Sequence, residues 1–308
     1  MKTEEYRFIA CNGTELPAAI WTPDSQPKAV LQIAHGMTEH IGRYDKLAEA
    51  LTMQGIVVAG FDLRGHGQNP GDAHIASWGE SGEYHSLKDM HLFYFEMQKR
   101  YPGIPHYMLG FSLGSFLLRN FFDIFDNRID GAIFIGTGQT SEFILKIMCT
   151  IVKSQIGKSG FDSTTPLVQK LSFETYNQKF QPSRTPFDWL CADEAQLDKY
   201  ISDELCREHI SSGLFLELLY AMRATRRCGC RYWRKDMPVL LISGQDDPVG
   251  DFGKGVQRVE AAMRKAGLKN VQMKFFPGAR HDLLHEEANG SAEEARKLIT
   301  KWIDNLLA

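Results

Sequence analysis

The sequence predicts an α/β protein with a mostly parallel, doubly wound sheet and a helical insertion between two of its strands. Short apolar runs alternate with helix-length amphipathic segments over most of the chain. Connections of this length favour crossovers that cover both faces of a parallel sheet. One stretch of about a hundred residues, 139–236, interrupts the alternation and is predicted to form about four helical pieces without a buried strand.

The amino-terminal part of the chain begins this alternation. Two strands joined by a turn at Asn12-Gly13 come first, and Gly55 stands where a helix commonly stops. The predicted strands here are Tyr6–Ala10, Ala18–Thr22, Ala29–Ala34, Ile56–Phe61 and Tyr107–Phe111. The predicted helices lie near residues 47–53, 87–101 and 113–125.

The same alternation resumes after the insertion. The predicted elements are the strands Ala132–Gly136, Val239–Ser243 and Val271–Phe275 and the helices near 252–266 and 292–307. We therefore divide the chain into a core, residues 1–138 and 237–308, and a helical cap or lid, residues 139–236. The alternative is that the inserted helices simply thicken the fold.

Composition narrows the classes of function. The 308 residues are 43% hydrophobic and 24% charged, the balance of an ordinary soluble globular protein. A net charge of −3 gives no reason to expect a nucleic-acid partner. The charged first residues do not resemble a secretory signal, and the six cysteines lack the pattern of a disulfide framework. We expect a cytoplasmic protein with reduced thiols.

A candidate nucleophile lies in the motif Gly110-Phe-Ser112-Leu-Gly114, where a predicted strand turns directly into a helix. Such a turn holds a serine hydroxyl above the edge of the sheet, and the two glycines let strand and helix approach without a Cβ clash. The alternative is that Ser112 only caps the helix. The position between strand and helix favours the nucleophile.

A nucleophilic serine needs a base and an orienting acid, and in this arrangement both follow it along the chain, the acid first. His281 follows the strand Val271–Phe275 and is the predicted base. Asp246 and Asp247 follow the strand Val239–Ser243; spacing alone does not separate them, and we favour Asp247. Asp282 is a weaker candidate, because it shares the loop of the base.

Acyl transfer also needs hydrogen-bond donors for the oxyanion of the tetrahedral intermediate. The backbone N–H that follows the nucleophile, that of Leu113, is one predicted donor. The second should come from the loop after an early strand, where His35-Gly-Met37-Thr-Glu-His40 lies. The N–H of Met37 is the predicted second donor.

These motifs resemble the monoacylglycerol lipase and lysophospholipase group of α/β hydrolases over nearly the whole chain. The resemblance rests on His35–His40, Gly42-Arg-Tyr44, Asp62-Leu-Arg-Gly-His-Gly67, Gly110–Gly114, Gly244-Gln-Asp-Asp247 and Gly278-Ala-Arg-His281. It implies the α/β-hydrolase fold, and it supports Asp247, the fourth residue of the Gly-x-x-Asp turn. Asn69 departs from the pattern, because a serine usually stands there; we expect that loop to be structural.

The resemblance also implies a reaction. We expect hydrolysis of carboxylic esters through an acyl-enzyme on Ser112, with a monoacylglycerol or lysophospholipid as the single-chain substrate and with no metal or organic cofactor. Two alternatives stay open. A prolyl-type aminopeptidase on the same fold would need carboxylates in the cap, and the insertion contains several. A ligand-binding homologue without catalysis would be expected to have a broken triad.

Three further features have competing interpretations. His35, His40 and His66 suggest either a metal site or, as we favour, a buried polar network beside the oxyanion loop. The apolar stripe within Phe143–Val152 either packs the cap onto the core or forms an acyl-chain wall or a face for transient membrane contact. The stripe consists of Phe143, Ile144, Ile147, Met148, Ile151 and Val152. Basic residues between 223 and 235 are expected to be solvated, although they would also attract an anionic head group.

Overall fold

The computed structural model describes residues 1–69, 74–79, 81–125 and 128–308, except for the side chains of residues 172 and 228. The strands are β1 (Lys2–Ile9), β2 (Glu15–Thr22), β3 (Ala29–Ala34), β4 (Ile56–Phe61), β5 (Ile75–Ala76), β6 (His106–Phe111), β7 (Gly131–Ile135), β8 (His209–Ile210), β9 (Val239–Gly244) and β10 (Val271–Phe276).

Eight of these strands form one sheet in the order β1-β2-β4-β3-β6-β7-β9-β10. β2 pairs antiparallel with β1 and β4, and the other neighbours are parallel. β3, β4, β6, β7 and β9 are buried at every position, because helices cover both faces of the sheet. The predicted α/β fold with a mostly parallel, doubly wound sheet is confirmed.

Helices complete the two layers around this sheet. They are α1 (Asp45–Thr52), α2 (Gly82–Arg100), α3 (Leu113–Ile124), α4 (Glu142–Ser159), α5 (Pro166–Gln169), α6 (Thr175–Asn177), α7 (Glu194–Ser202), α8 (Ser212–Cys228), α9 (Lys254–Lys265) and α10 (Ser291–Leu307). Short 3₁₀ turns occupy Ile41–Tyr44, Gln178–Phe180 and Leu283–His285, and a π-helical turn occupies Lys170–Glu174. Apolar residues of α1 and α10 form one core layer, and those of α2, α3 and α9 belong to the other.

Helices α4 to α8 lie between β7 and β9 in the chain, as the sequence predicts for residues 139–236. α8 packs against both α3 and α4. The expectation that this stretch holds no buried strand is wrong in one detail: β8 pairs in parallel with β5 outside the main sheet, and Ile210 is fully buried. A two-residue strand is too short to produce an alternating pattern in the sequence.

The packing interpretation predicts that the apolar stripe on α4 is buried against the core, but much of the stripe faces solvent. Phe143, Ile144 and Ile147 are exposed, with 72%, 48% and 45% of their surface accessible. The buried side of α4 is formed by Leu145, Cys149 and Val152. The packing interpretation is therefore wrong for the first half of the stripe. Apolar residues nearly surround the start of this helix, so periodicity alone does not identify the packed face.

Two general properties accompany this fold. None of the described helices combines the length and the apolar character needed to cross a bilayer. Among the described residues, Cys11, Cys149, Cys191 and Cys206 have free thiols.

Candidate active site

Ser112 occupies a strained turn between β6 and α3. Its backbone has φ 48° and ψ −115°, a conformation that costs a non-glycine residue free energy and that persists where function demands it. A Cβ on Gly110 would lie 2.5 Å from the carbonyl oxygen of Gly114, and a Cβ on Gly114 would lie 2.0 Å from that of Ala34. The Ser112 hydroxyl makes no capping bond to α3, so the helix-cap interpretation is wrong.

His281 and Asp247 lie in line with this serine. The loops after β9 and β10 reach the same sheet edge as β6, because these strands run parallel. His281 Nδ1 is 2.9 Å from Asp247 Oδ1, and His281 Nε2 is 2.8 Å from Ser112 Oγ. Since a carboxylate only accepts, Nδ1–H donates to Asp247 and Nε2 accepts from the serine hydroxyl. The structure thus brings the three predicted residues together.

The neighbouring carboxylates have other surroundings. Asp246 is exposed, whereas Asp247 is fully buried. The carboxylate of Asp247 also accepts hydrogen bonds from the backbone N–H of Val249 at 2.8 Å and from the Ser243 hydroxyl at 3.3 Å. Asp282 faces away from the histidine ring and pairs with Arg43. Burial and the distance to His281 therefore favour Asp247 over Asp246.

The two predicted oxyanion donors lie in loops that are tied to each other. The Gly114 N–H donates to the carbonyl of His35 at 3.1 Å, which joins the start of α3 to the His35 loop, residues 35–40. Within the described part of the chain, the backbone N–H groups of Met37 and Leu113 donate no hydrogen bond. Both donors are therefore unused by the protein itself.

A buried ionic network, which sequence reasoning did not find, spans the His35 loop and the His281 loop, residues 277–288. Glu39 accepts from the Gly36 N–H at 2.5 Å and pairs with Arg43. Arg43 Nη2 also donates to Asp282 Oδ2 at 2.7 Å. Burial opposes the charge on Arg43, yet Asp282 and Glu39 together hold the pKa of its guanidinium above its ordinary value.

Asp282 completes that network on the histidine side. Its other oxygen, Oδ1, lies 2.8 Å from His285 Nδ1. Burial by itself would raise the pKa of Asp282, but His285 and Arg43 hold it well below the usual range. The carboxylate next to the histidine is therefore a structural anion.

The other predicted histidines form backbone contacts. His35 Nε2 accepts from the Leu63 N–H at 2.8 Å, and His66 Nδ1 lies 2.8 Å from the carbonyl oxygen of Arg64. Burial lowers the pKa of both imidazoles to about 3, so they are neutral at physiological pH. Asn69 lies in the loop after β4 that also contains His66. Its amide donates to the carbonyls of Asp62, Leu63 and His66. This agrees with the structural role expected for Asn69.

His40 is separate from those two histidines and faces the insertion. Its Nε2 lies 2.9 Å from Asp203 Oδ2. Among the described residues, His40, Asp203 and Cys206 form a group whose ligand atoms lie within 4.8 Å of one another and could in principle hold a metal ion. The positive charge of Arg43 acts on Cys206 at the same place and disfavours a second cation.

One segment of the insertion, residues 188–193, is bound to the His281 loop. The Asp282 N–H donates to the carbonyl of Leu190 at 2.7 Å, and the Ala192 N–H donates to Glu286 at 2.9 Å. In this position the ring of Trp189 lies 5.3 Å from the ring of His281. Sequence reasoning missed these contacts, because the partners are about ninety residues apart and no motif marks them.

Comparison with known proteins places this geometry in a family. A family model described as "Serine aminopeptidase, S33" matches residues 25–288. The monoacylglycerol lipase of Mycolicibacterium smegmatis is 32% identical over 97% of this chain and 96% of its own length. The human monoglyceride lipase is 26% identical over 98% of this chain and 90% of its own.

Solved structures agree with these relatives. The crystal structure of a highly thermostable carboxyl esterase from Bacillus coagulans, in complex with glycerol, matches with a TM-score of 0.89 and 25% identity over the whole of both chains. The family model, the relatives and this structure together identify a serine hydrolase with the α/β-hydrolase fold. The chain therefore belongs to the serine aminopeptidase S33 family, as a monoacylglycerol lipase-like hydrolase of carboxylic esters.

Proposed function

We propose that this hydrolase cleaves single-chain acyl esters, monoacylglycerols or lysophospholipids, through an acyl-enzyme on Ser112. His281 takes the proton of the hydroxyl as the oxygen attacks the ester carbonyl, and Asp247 stabilises the imidazolium that forms. The backbone N–H groups of Met37 and Leu113 bind the oxyanion. His281 then protonates the leaving alcohol, and water repeats the sequence to release the fatty acid.

The observation that carries the proposal is the unbroken line of hydrogen bonds from Asp247 through His281 to Ser112, at 2.9 and 2.8 Å. Asp247 and His281 are 0% and 1% exposed, so the pair works in a site from which water is largely excluded. Nucleophile, base and acid in this geometry, together with the two oxyanion donors, are the groups that acyl transfer requires.

An apolar cavity in the insertion supports a substrate with one acyl chain. It has a volume of about 540 Å³ and is lined in part by Phe173, Phe187 and Tyr200. The Tyr200 hydroxyl lies 2.7 Å from that of Thr38 in the His35 loop, and Phe173 stacks on Trp189, which adjoins His281. We propose that this cavity receives the acyl chain. The relatives named monoacylglycerol and monoglyceride lipase agree with this substrate class.

The experiment compares wild type with Ser112→Ala on p-nitrophenyl esters of increasing chain length, a monoacylglycerol and a lysophosphatidylcholine. A fluorophosphonate probe is applied in parallel, and thermal melting verifies that the variant is folded. We expect labelled, active wild type and an unlabelled variant whose kcat is lower by about 10⁴-fold or more. A folded variant that keeps its activity would exclude Ser112 as nucleophile.

The second candidate function is aminopeptidase activity, which the family description names. That reaction needs a cap carboxylate free to hold a substrate ammonium. Asp188 accepts hydrogen bonds from Arg184 and Thr185, and Asp193 accepts from Gln196 and Ala288. Because these carboxylates are already occupied, esters are the favoured substrates. Release of proline from a proline amide, without turnover of any acyl ester, would decide for the aminopeptidase.

We also propose that residues 139–236 act as a cap, with residues 1–138 and 237–308 as the core, and that α4 touches the membrane surface that carries the substrate. Phe143, Ile144 and Ile147 supply exposed apolar surface, and Lys146 and Lys153 lie exposed on the same helix. A cytoplasmic location is part of this proposal. The free thiols of Cys11, Cys149, Cys191 and Cys206 support it, since thiols stay reduced in the cytoplasm.

A further inference from the structure

We propose that Trp189 is a positioning residue for His281. The face of its indole stabilises the imidazolium that His281 forms during ester hydrolysis. The inference rests on the proposed function, since it assigns a second residue to the same base. The residue comes from the insertion, whereas Ser112, Asp247 and His281 all belong to the core.

The imidazole of His281 lies between two aromatic rings. The Trp189 ring centroid is 5.3 Å away with an interplanar angle of 37°, and the Phe111 ring centroid is 5.0 Å away at 38°. A Cβ added to Gly136 would lie 2.8 Å from Cε1 of the same imidazole. Aromatic and backbone atoms therefore surround the ring, and water has little access to it.

This enclosure matters when the base becomes charged. The imidazole of His281 gains a positive charge when it takes the proton of Ser112. A cation within about 6 Å of an aromatic centroid is attracted by the ring quadrupole, most strongly by tryptophan. The charge appears only along the reaction path, so the attraction favours the transition state over the ground state.

The indole N–H of Trp189 supports this role of the ring face. The residue is 6% exposed, and within the described part of the chain its Nε1–H has no hydrogen-bond partner. Leaving a buried donor unpaired costs stability, and a phenyl ring would fill much of the same space without that cost. The indole therefore meets His281 through its ring and not through a hydrogen bond, which is the arrangement that a cation–π contact requires.

Backbone hydrogen bonds hold the segment around Trp189 in place, in addition to the packing of its indole on Phe173. The Trp189 N–H donates to Asn177 Oδ1 at 2.9 Å, and the flanking Leu190 and Cys191 carbonyls accept from Asp282 N–H at 2.7 Å and Arg280 at 3.3 Å. Exchange of the side chain should therefore alter the surroundings of His281 without releasing the segment. This makes substitution at 189 an informative test.

The experiment measures kcat/KM for a p-nitrophenyl ester against pH in wild type, Trp189→Phe and Trp189→Leu. Leucine keeps the site apolar but removes the quadrupole of the indole, so we expect the plateau value of kcat/KM to fall by about threefold to thirtyfold. The acidic limb should move to lower pH, because the protonated base is less stabilised. Phenylalanine, with a weaker aromatic face, should restore most of both properties.

The control is Trp233→Leu. Trp233 is also buried in the insertion, 3% exposed, but it packs against Phe122 and Phe134, and its Nε1 donates to Asp123. This variant should lose thermal stability and keep the pH profile of wild type. If Trp189→Leu is unstable, the pH dependence of fluorophosphonate labelling at low temperature gives the same comparison.

An unchanged acidic limb in Trp189→Leu, or a Trp189→Phe variant as impaired as Trp189→Leu, would overturn the inference, because packing would then suffice. Failure of the proposed function would give a different result, in the Ser112→Ala variant. In that case Ser112→Ala would retain activity, whatever the variants at position 189 do.

Discussion

At the level of single side chains, the site depends on which of two adjacent carboxylates reaches the base. Asp247 is buried and bonds His281, whereas its neighbour Asp246 is exposed. Asp247→Asn should lower kcat by about 10⁴-fold, because an amide no longer fixes the tautomer that leaves Nε2 free to accept. Asp246→Asn, a matched change one residue away, should leave kcat within about twofold, as expected for an exposed position.

Ester turnover and circular dichroism of both purified variants measure this difference. Equal losses in the two variants, with both folded, would contradict the assignment of the acid.

Sequence alone predicts the three residues Ser112, Asp247 and His281 but not the side chains that surround them. Ser112 is recognisable because only a strand-to-helix turn flanked by glycines presents a serine in this way, and the order of Asp247 and His281 follows from the fold. Arg43 lies in the motif Gly42-Arg-Tyr44, but neither that motif nor any pattern around Trp189 indicates which residues these two side chains contact. Their roles arise from contacts with residues far away in the chain, and no spacing rule encodes them.

At the level of elements, Arg43 connects the two loops that build the site. It pairs with Glu39, which holds the Gly36 N–H in the His35 loop, and with Asp282, the neighbour of His281. Arg43→Lys keeps the charge but loses the planar fork that reaches both carboxylates. We expect kcat to fall by about tenfold to a hundredfold with little change in KM, because positioning rather than substrate binding suffers.

The control for this substitution is Arg100→Lys. Arg100 forms exposed pairs with Glu4 and Glu96, so its variant should keep the kcat of wild type and change stability by less than about 0.5 kcal/mol. Steady-state kinetics on a soluble ester separate the two cases. A wild-type kcat in Arg43→Lys would mean that the loops hold their geometry without the network.

Helix α8 of the insertion packs against α2 where Glu217 of α8 lies next to Glu83 of α2. Burial raises the pKa of Glu83 to about 7; the hydrogen bond from Asn120 opposes this shift, and the charge of Glu217 adds to it. A carboxyl group with a raised pKa contributes stability below its unfolded pKa, about 4.3, and loses that contribution as pH rises through 7. Wild type should therefore lose stability between pH 5 and 8.

The test is Glu83→Gln, which keeps an oxygen for Asn120 Nδ2 to bind. We expect the variant to gain on the order of 1 kcal/mol over wild type at pH 8 and little at pH 5, after allowance for partial solvent screening. Melting temperatures at both pH values measure the gap. A difference between Glu83→Gln and wild type that is the same at both pH values would refute the assignment.

Prediction from sequence succeeds for some elements and fails for others, for a physical reason. β3 and β4 are fully buried and, apart from Gln32, consist of apolar residues and glycine with clear ends, so the predicted bounds Ala29–Ala34 and Ile56–Phe61 match the structure. α4 is apolar on more than one side, and only tertiary contacts decide that Leu145 packs while Phe143 faces solvent. Periodicity identifies a packed face only when the opposite face is polar.

At the scale of the whole molecule, one side of the insertion (residues 139–236) contacts the core, and another side is exposed. Its segment 188–193 is bound to the His281 loop, and α8 packs on α3 of the core. The exposed side of α4 is held by neither contact. If the proposals for Trp189 and α4 hold, the insertion contributes one residue beside His281 and a separate exposed face for contact with a membrane surface.

The membrane contact can be tested by changing the exposed residues of α4 alone. Phe143→Ser combined with Ile147→Ser changes two residues that are 72% and 45% exposed, so the fold should be retained. Interfacial burial of two such side chains is worth about 2–3 kcal/mol, so binding to lipid vesicles should weaken by about thirtyfold to a hundredfold. Turnover of a monoacylglycerol presented in those vesicles should fall in parallel.

The comparison substrate is a short, water-soluble ester, whose turnover the double variant should leave unchanged because the site itself is untouched. Ile124→Ser, at another exposed apolar residue, 56% accessible at the end of α3, should alter neither vesicle binding nor turnover. Co-sedimentation with vesicles that contain anionic lipid measures binding directly. If the double variant binds as tightly as wild type, α4 is not the contact; if it also loses turnover of the soluble ester, the exposed face of α4 serves the site and not the interface.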